Sequence, residues 1–82
     1  MNEVGLSKKA KSVRPGIYEH YKKKRYKVLG VVVHSETLEE LVLYKALYGN
    51  RLLWVRPLDM FLENVEVDGK KIPRFRYVKS SR

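Results

Sequence analysis

Short apolar and aromatic runs, separated by glycine, proline or clusters of charge, make up most of this chain. Residues 16–21 predict a first strand, because β-branched and aromatic side chains fit a pleated surface. Residues 26–34 give the strongest strand pattern, with alternate positions sharing one face. Since the opposite face is also apolar from Leu29 onward, we expect this strand to bend near Gly30 and to be covered on both sides over part of its length.

Residues 38–48 fit both a helix and a strand. Thr37-Leu38-Glu39-Glu40 has the spacing of a helical capping box, and Gly49 suits the end of a helix. However, seven of the eight positions over 41–48 are apolar, so a helix there would have no polar face for water. We therefore favour a strand that follows a Glu-rich connection.

The remainder of the chain predicts several short elements. They are a turn at Gly49-Asn50, a strand over 52–56, a helical or 3₁₀ turn over 57–62, a strand over 64–67, a turn at Asp68-Gly69 and a strand over 74–78. Five or six short, bent strands with one helical turn predict a mainly β fold, namely a small SH3-like antiparallel barrel. Closure of a barrel would pair its end strands and remove exposed edges.

Composition limits the class of protein. A chain of 82 residues holds one small domain, which we assign to residues 15–78. The absence of cysteine excludes disulfides, thiol nucleophiles and thiolate zinc sites, and no glycine-rich phosphate loop or paired-carboxylate motif is present. We expect no catalytic residue, no metal, no cofactor and no enzymatic activity.

The first residues do not resemble a signal peptide, and no stretch approaches the roughly 18 apolar residues that span a bilayer. We therefore expect a cytoplasmic protein without a membrane partner.

The formal charge of +9 belongs mainly to the two ends of the chain. Residues 1–14 hold four basic residues and one acid, residues 15–68 hold eight of each, and residues 69–82 hold six basic residues and no acid. We interpret residues 1–14 as a flexible basic arm and residues 79–82 as a basic tail. Their removal is expected to leave folding almost unchanged and to lower any affinity for a polyanion.

Two further basic sets lie within the domain. The first hairpin carries Lys22, Lys23, Lys24, Arg25 and Lys27, and the last strands carry Lys70, Lys71, Arg74 and Arg76. If the end strands pair, the sets merge into one patch beside Tyr18 or Tyr21. Cations bind phosphates and aromatic rings stack on bases, so this patch fits RNA or DNA. Alternatively, the lysines only solvate a turn, and the domain binds a protein or forms a homodimer through an aromatic or apolar barrel face.

His34-Ser35-Glu36-Thr37 holds an imidazole, two hydroxyls and a carboxylate. Consecutive residues point to different sides, however, and serine and threonine often form turns, so we favour a structural turn over a catalytic or binding site.

Trp54 and Arg56 combine a large ring with a bidentate donor, which suits a phosphate, a carboxylate or a base. The favoured alternative is that Trp54 fills the core and Arg56 pairs with Glu36 or Asp59. A small-molecule site would need His34, Glu36 and Arg56 to converge. The candidate residues for an aromatic ligand groove are Tyr18, Tyr21, Trp54, Arg56, His34 and Glu36, and Tyr26, Tyr44 and Tyr48 are further rings that such a groove could use.

Residues 15–78 resemble a small bacterial family, the domain of unknown function number 1653. The resemblance rests on short blocks in a fixed order, chiefly His-Ser-Glu-Thr at 34–37 and Trp-Val-Arg-Pro at 54–57, with further matches over 16–21, 26–31, 42–44, 47–49 and 60–61. It implies an SH3-like β-barrel, admits a homodimer and carries no established activity. This chain departs from the family pattern at Lys23, where the family usually has glycine, and in its long basic ends.

Overall fold

The computed structural model of the protein describes residues 5–81. Residues 1–4 of the predicted arm over 1–14, and Arg82 of the predicted tail over 79–82, lie outside the described residues. In chain order the elements are α1 (Lys8–Lys11), β1 (Gly16–His20), β2 (Arg25–Val33), β3 (Glu40–Ala46), β4 (Leu53–Pro57), α2 (Leu58–Phe61), β5 (Asn64–Val67), β6 (Lys70–Pro73) and β7 (Phe75–Lys79).

The strands form two antiparallel sheets. One has five strands in the order β4-β3-β2-β1-β7, and the other is the β5-β6 hairpin. The predicted mainly β, antiparallel fold is confirmed, and β1 pairs with β7 as expected. The expected removal of exposed edges is incomplete, because β4 has a neighbouring strand on one side only. The expected number of strands is too low because β6 was missed. Its sequence, Lys-Lys-Ile-Pro, has one apolar side chain that could signal a strand.

Residues 38–48 contain a strand, as preferred from the apolar pattern. β3 pairs with β2 on one side and β4 on the other, and Val42, Tyr44 and Ala46 are buried on one face. The capping-box pattern belongs to a turn instead, in which the Thr37 hydroxyl accepts a hydrogen bond from the Glu39 amide.

β2 bends at a bulge between Val28 and Gly30, as predicted, and Gly30 has a φ of +155°. The extra residue shifts the inward face, so that Val31 packs against the core. The expected cover on both sides is wrong, because Leu29 remains 42% exposed. The outer face of the sheet is therefore open.

The core is unusually aromatic. Phe61, which α2 brings under the sheet, is 1% exposed and stacks on Phe75 with ring centroids 4.3 Å apart. Tyr18 and Tyr44 meet the Phe61 ring at 5.5 and 5.9 Å. These rings fill the concave side of the sheet, and edge and stacked contacts of this kind stabilise a core beyond its buried area.

The segment before β1 packs against the domain. Ser7 caps α1, and both its amide and its hydroxyl donate to the Glu40 carboxylate at 2.7 Å. Ala10 is 2% exposed within the core, and Lys9 forms an ion pair with Asp59 at 2.7 Å. The arm interpretation therefore does not describe residues 7–14, whose single helical turn is too short to show a periodicity in the sequence.

Deletion of residues 1–13 is expected to lower the free energy of unfolding by at least about 2 kcal/mol, because burial of Ala10, with Leu6 and Val13 packed nearby, is lost. Urea denaturation followed by circular dichroism measures this change. The control is Lys8→Ser with Lys11→Ser, which removes two exposed cations and leaves Ala10 in place. Equal stability of the deletion variant and the control would contradict the packed helix.

Candidate nucleic-acid interface

An open groove of about 230 Å³ lies at the β4 edge of the five-stranded sheet and is lined by Tyr26, Tyr44, Tyr48, Trp54 and Arg56. The strand register explains this set, because Trp54 lies opposite Tyr44, and alternate residues of a strand share a face. β4 has a neighbouring strand on one side only, so its inward side chains extend past the core into solvent.

Trp54 is 50% exposed, so the preferred interpretation that it fills the core is wrong. Phe61 and Phe75 occupy the centre instead. The strand period correctly gives Trp54 an inward direction, but it does not reveal that β4 is an edge strand.

Arg56 lies in this groove without an acidic partner among residues 5–81. Its Nε donates to the Tyr44 hydroxyl at 3.3 Å, and its guanidinium carbon lies 5.6 Å from the centroid of the Phe75 ring. The expected pairing with Glu36 or Asp59 is not found, since Asp59 binds Lys9. The terminal nitrogens of Arg56 therefore remain available to an anion.

Tyr26 and Tyr48 close one side of the groove with a hydrogen bond between their hydroxyls. Burial and this hydrogen bond raise the pKa of Tyr26 far above its usual value, so that its hydroxyl stays protonated at neutral pH. Lys24 of the hairpin holds its ammonium 4.9 Å from the Tyr48 ring centroid. Tyr26 is thus neutral, and the positive charges of Lys24 and Arg56 lie beside it.

The turn of the first hairpin presents Lys22, Lys23 and Lys24 to solvent, and none of the three forms an ion pair within the described part of the chain. Lys23 has a φ of +76°, the left-handed region that glycine adopts most readily. Lysine therefore adopts the turn conformation at the position where the family usually has glycine, and the turn carries an extra cation. Lys27 lies farther along β2, opposite Lys45 on the outer face.

The second basic set meets the hairpin because β1 pairs with β7. Arg76 lies opposite Glu19 and binds its carboxylate at 2.9 Å, and Arg25 approaches the same carboxylate at 3.6 Å. The hydrogen bond from Arg76 holds the pKa of Glu19 below its usual value. Arg74 is paired with Glu63 at 3.1 Å. The arginines of this region are thus partly neutralised, whereas the hairpin lysines are not.

A second groove, of about 220 Å³, lies where the two basic sets meet. It is lined by Glu19, His20, Tyr21, Lys23, Ile72, Pro73 and Arg76. Lys23 and Arg76 come from different sets, so the two sets adjoin. Lys70 and Lys71 lie farther along β6, towards the Asp68-Gly69 turn.

His20 connects the two grooves. Its ring lies 4.6 Å from Tyr21 and 6.4 Å from Tyr26, measured between centroids. Burial lowers the pKa of His20, and the positive charges of Arg56, Arg74 and Lys22 lower it further. The positive charges beside both grooves therefore act on the same imidazole.

The other predicted site residues lie elsewhere. Tyr18 is buried in the core and its hydroxyl donates to the Arg14 carbonyl, while Tyr21 lines the second groove. His34 accepts amide hydrogen bonds from Glu36 and Thr37 through Nδ1, which is the geometry of a turn. Neither His34 nor Glu36 lines the groove that holds Arg56, so the convergence that the alternative of a small-molecule site requires is not found.

No three potential metal ligands cluster within residues 5–81, and none of the helices described is long and apolar enough to cross a membrane.

The fold and the two adjoining grooves define a small antiparallel β domain with a positively charged, aromatic surface at one end. The chain belongs to the family of proteins of unknown function DUF1653, whose model matches residues 16–77. The crystal structure of a DUF1653 protein from Bordetella bronchiseptica is similar, with a TM-score of 0.80 and 35% sequence identity over 89% of this chain and 96% of that one. No curated protein matches the chain. The resemblance noted in the sequence is thereby confirmed.

Proposed function

We propose that this protein is a non-enzymatic module that binds single-stranded RNA in the cytoplasm. The first hairpin provides charge for the phosphates, and the groove at Trp54 provides rings for the bases. The observation that carries this proposal is Arg56, which lies beside a half-exposed tryptophan without an acidic partner among the described residues.

The side chains match the two chemical parts of a single strand. Lys22, Lys23 and Lys24 are exposed point charges that neutralise phosphates and release counterions. Trp54 offers a ring face to a base, and stacking on such a face contributes about 1–3 kcal/mol per base. Arg56 lies next to that ring and donates in a planar fork that fits a phosphate or a base edge.

The same charges disfavour other ligands of aromatic grooves. A methylated lysine or another cation would be repelled by Arg56 and Lys24, although tyrosine and tryptophan cages elsewhere bind such groups. An anion with flat rings satisfies both the charge and the shape.

The basic N-terminal segment lies on a different part of the surface. α1 lies against Glu40 and Asp59, at the end of the sheet where β2 finishes, whereas the hairpin lies where β2 begins. These points are separated by about 25 Å, given the usual rise per residue of a strand. The proposed site therefore needs the hairpin and the groove, and the terminal cations only add to the field of the protein.

Fluorescence anisotropy of a labelled 12-nucleotide single-stranded RNA tests the proposal. We expect binding at low salt with a slope of log K against log salt of about −2 to −3, if three or four phosphates are neutralised. Trp54, the single tryptophan of the chain, should be quenched at the same RNA concentration. DNA of the same sequence tests the choice of nucleic acid. No binding of either at the lowest salt, or binding without quenching of Trp54, would overturn the proposed site.

Arg56→Gln and Lys45→Gln remove one positive charge each, inside and outside the groove. We expect the first to weaken RNA binding about tenfold and the second less than twofold.

A further inference from the structure

β4 leaves one edge of the large sheet open. The Ala46 amide donates to the Leu52 carbonyl, and hydrogen-bonded pairs recur at every second position of an antiparallel ladder. By the observed register, Trp54 and Arg56 therefore bond to β3, and the backbone groups of Leu53 and Val55 point to the open side. None of the backbone hydrogen bonds outside the ladders within residues 5–81 involves Leu53 or Val55.

Residues 53–55 of this edge lack the devices that usually protect one, and Arg56 and Pro57 follow at the end of the strand. Leu53 and Val55 are 60% and 53% exposed, and residues 53–55 carry no charge. The strand at the other end of the sheet, β7, carries Arg76 and Lys79 along its length. Because charged side chains discourage pairing at an edge, β7 is protected along its length, whereas β4 is open to pairing over residues 53–55.

The apolar surface continues from the edge onto the outer face of the sheet. Val55 lies beside Leu43, and Leu41 lies beside Val32, which is also exposed. Leu53 and Val55 are thus the border of a wider apolar face.

We propose that β4 pairs antiparallel with β4 of a second copy of this chain, about a two-fold axis at Trp54. Leu53 then exchanges two backbone hydrogen bonds with the partner's Val55, and Val55 does the same with the partner's Leu53. The two five-stranded sheets become one sheet of ten strands. This surface is separate from the hairpin and shares Trp54 with the groove, and the inference does not depend on RNA binding.

The backbone of β4 favours this register over the two neighbouring ones. With the axis at Val55, Leu53 would face Pro57, which has no amide hydrogen to donate. With the axis at Leu53, Val55 would face Arg51, which has a φ of +54° and lies outside the strand. Only the axis at Trp54 uses both donors and both acceptors of the open edge.

The distribution of charge favours a second copy of this chain as the partner of the β4 edge. The chain carries +9, so a copy that approached the hairpin or β7 would meet like charges. At β4 the facing residues are apolar on both copies, and a two-fold axis makes such a surface complementary to itself. Lys45, the nearest cation on the outer face, lies beside Leu53 on β3 and is separated from its counterpart by both edge strands.

The absence of cysteine allows the register to be tested directly. In Trp54→Cys the two sulfurs face each other across a non-hydrogen-bonded pair with Cα atoms about 4.5 Å apart, within the range for a disulfide. In Leu53→Cys the two positions are offset along the strands by two residues and lie more than about 7 Å apart, beyond that range. Mild oxidation should convert most of the first variant to a covalent dimer and little of the second. Equal cross-linking of the two would overturn the register.

Sedimentation tests the assembly itself. We expect the natural chain to be a dimer at tens of micromolar, and Val55→Pro and Leu53→Lys to dissociate at least tenfold more readily. Val55→Pro removes an amide donor that the pairing with β3 does not use. If circular dichroism shows that Val55→Pro is unfolded, Leu53→Lys tests the dimer interface in its place. Met60→Lys, which adds the same charge at an exposed residue of α2, should remain dimeric. A natural chain that is monomeric at several hundred micromolar would overturn the proposal.

Discussion

Reversal of charge at Lys22, Lys23 and Lys24 to glutamate is expected to weaken binding of single-stranded RNA at least 100-fold at low salt. These lysines are exposed and have no ion-pair partner within the described residues, so their charges are available to a ligand. Loss of three phosphate contacts also lowers the magnitude of the salt slope by about 2. Anisotropy titrations at several salt concentrations measure both changes.

A matched triple variant distinguishes the loss of contacts at the hairpin from the effect of a lower net charge. Lys8→Glu, Lys11→Glu and Lys45→Glu change the net charge by the same amount but lie outside the turn of the hairpin, with Lys45 on the outer face of β3 opposite Lys27. We expect this variant to lose less than tenfold in affinity. If both triple variants lost affinity equally, binding would depend on the field of the whole protein, and the proposed site would be wrong. Thermal melts of both variants confirm that the comparison is made on folded protein.

Substitution of Phe61 by alanine is expected to have the largest effect on stability. Phe61 is 1% exposed, and its ring contacts Tyr18, Tyr44 and Phe75. Removal of a buried phenylalanine ring costs about 3–5 kcal/mol, a large part of the 5–15 kcal/mol that typically stabilises a domain. For a chain of this size the melting temperature should fall by at least about 12 °C.

The neighbouring Met60 provides the control for that measurement. It belongs to the same helical turn but is 46% exposed, so Met60→Ala should lower the melting temperature by only a few degrees. Phe61→Leu keeps part of the volume and should lie between the two. Similar melting temperatures for Phe61→Ala and Met60→Ala would show that the aromatic cluster is not the centre of the core.

The local pattern of the sequence predicts most strands but not their neighbours. The alternation over Val42, Tyr44 and Ala46 identifies β3 and its buried face, because burial follows a two-residue period. An unbroken two-residue period places Val32 on the same face as Val28, whereas the bulge near Gly30 changes the period and brings Val31 inward instead. β6 is missed because its stability comes from pairing with β5 and not from its own side chains.

The sequence predicts the cations of the candidate site better than it predicts the positions of the aromatic rings. Lys22 and its neighbours follow from a cluster of charge at a hairpin, and their meeting with Arg76 follows from the pairing of the end strands. The exposure of Trp54 depends on the position of β4 at the end of the sheet, which is a property of the whole topology. No local signal in the sequence carries that information.

The contact between Glu19 and Arg76 joins positions 57 residues apart in the chain. β2, β3 and β4 pair in sequence order, so their contacts form over short loops. The second groove, in contrast, requires β7 to close onto β1, and long-range contacts of this kind form slowly because the intervening chain must first be ordered. The pairing of β2, β3 and β4 can therefore form early in folding. The packing beneath the groove at Trp54 and the junction of the two basic sets both require β7, because Phe75 contacts Tyr26, Tyr44 and Arg56.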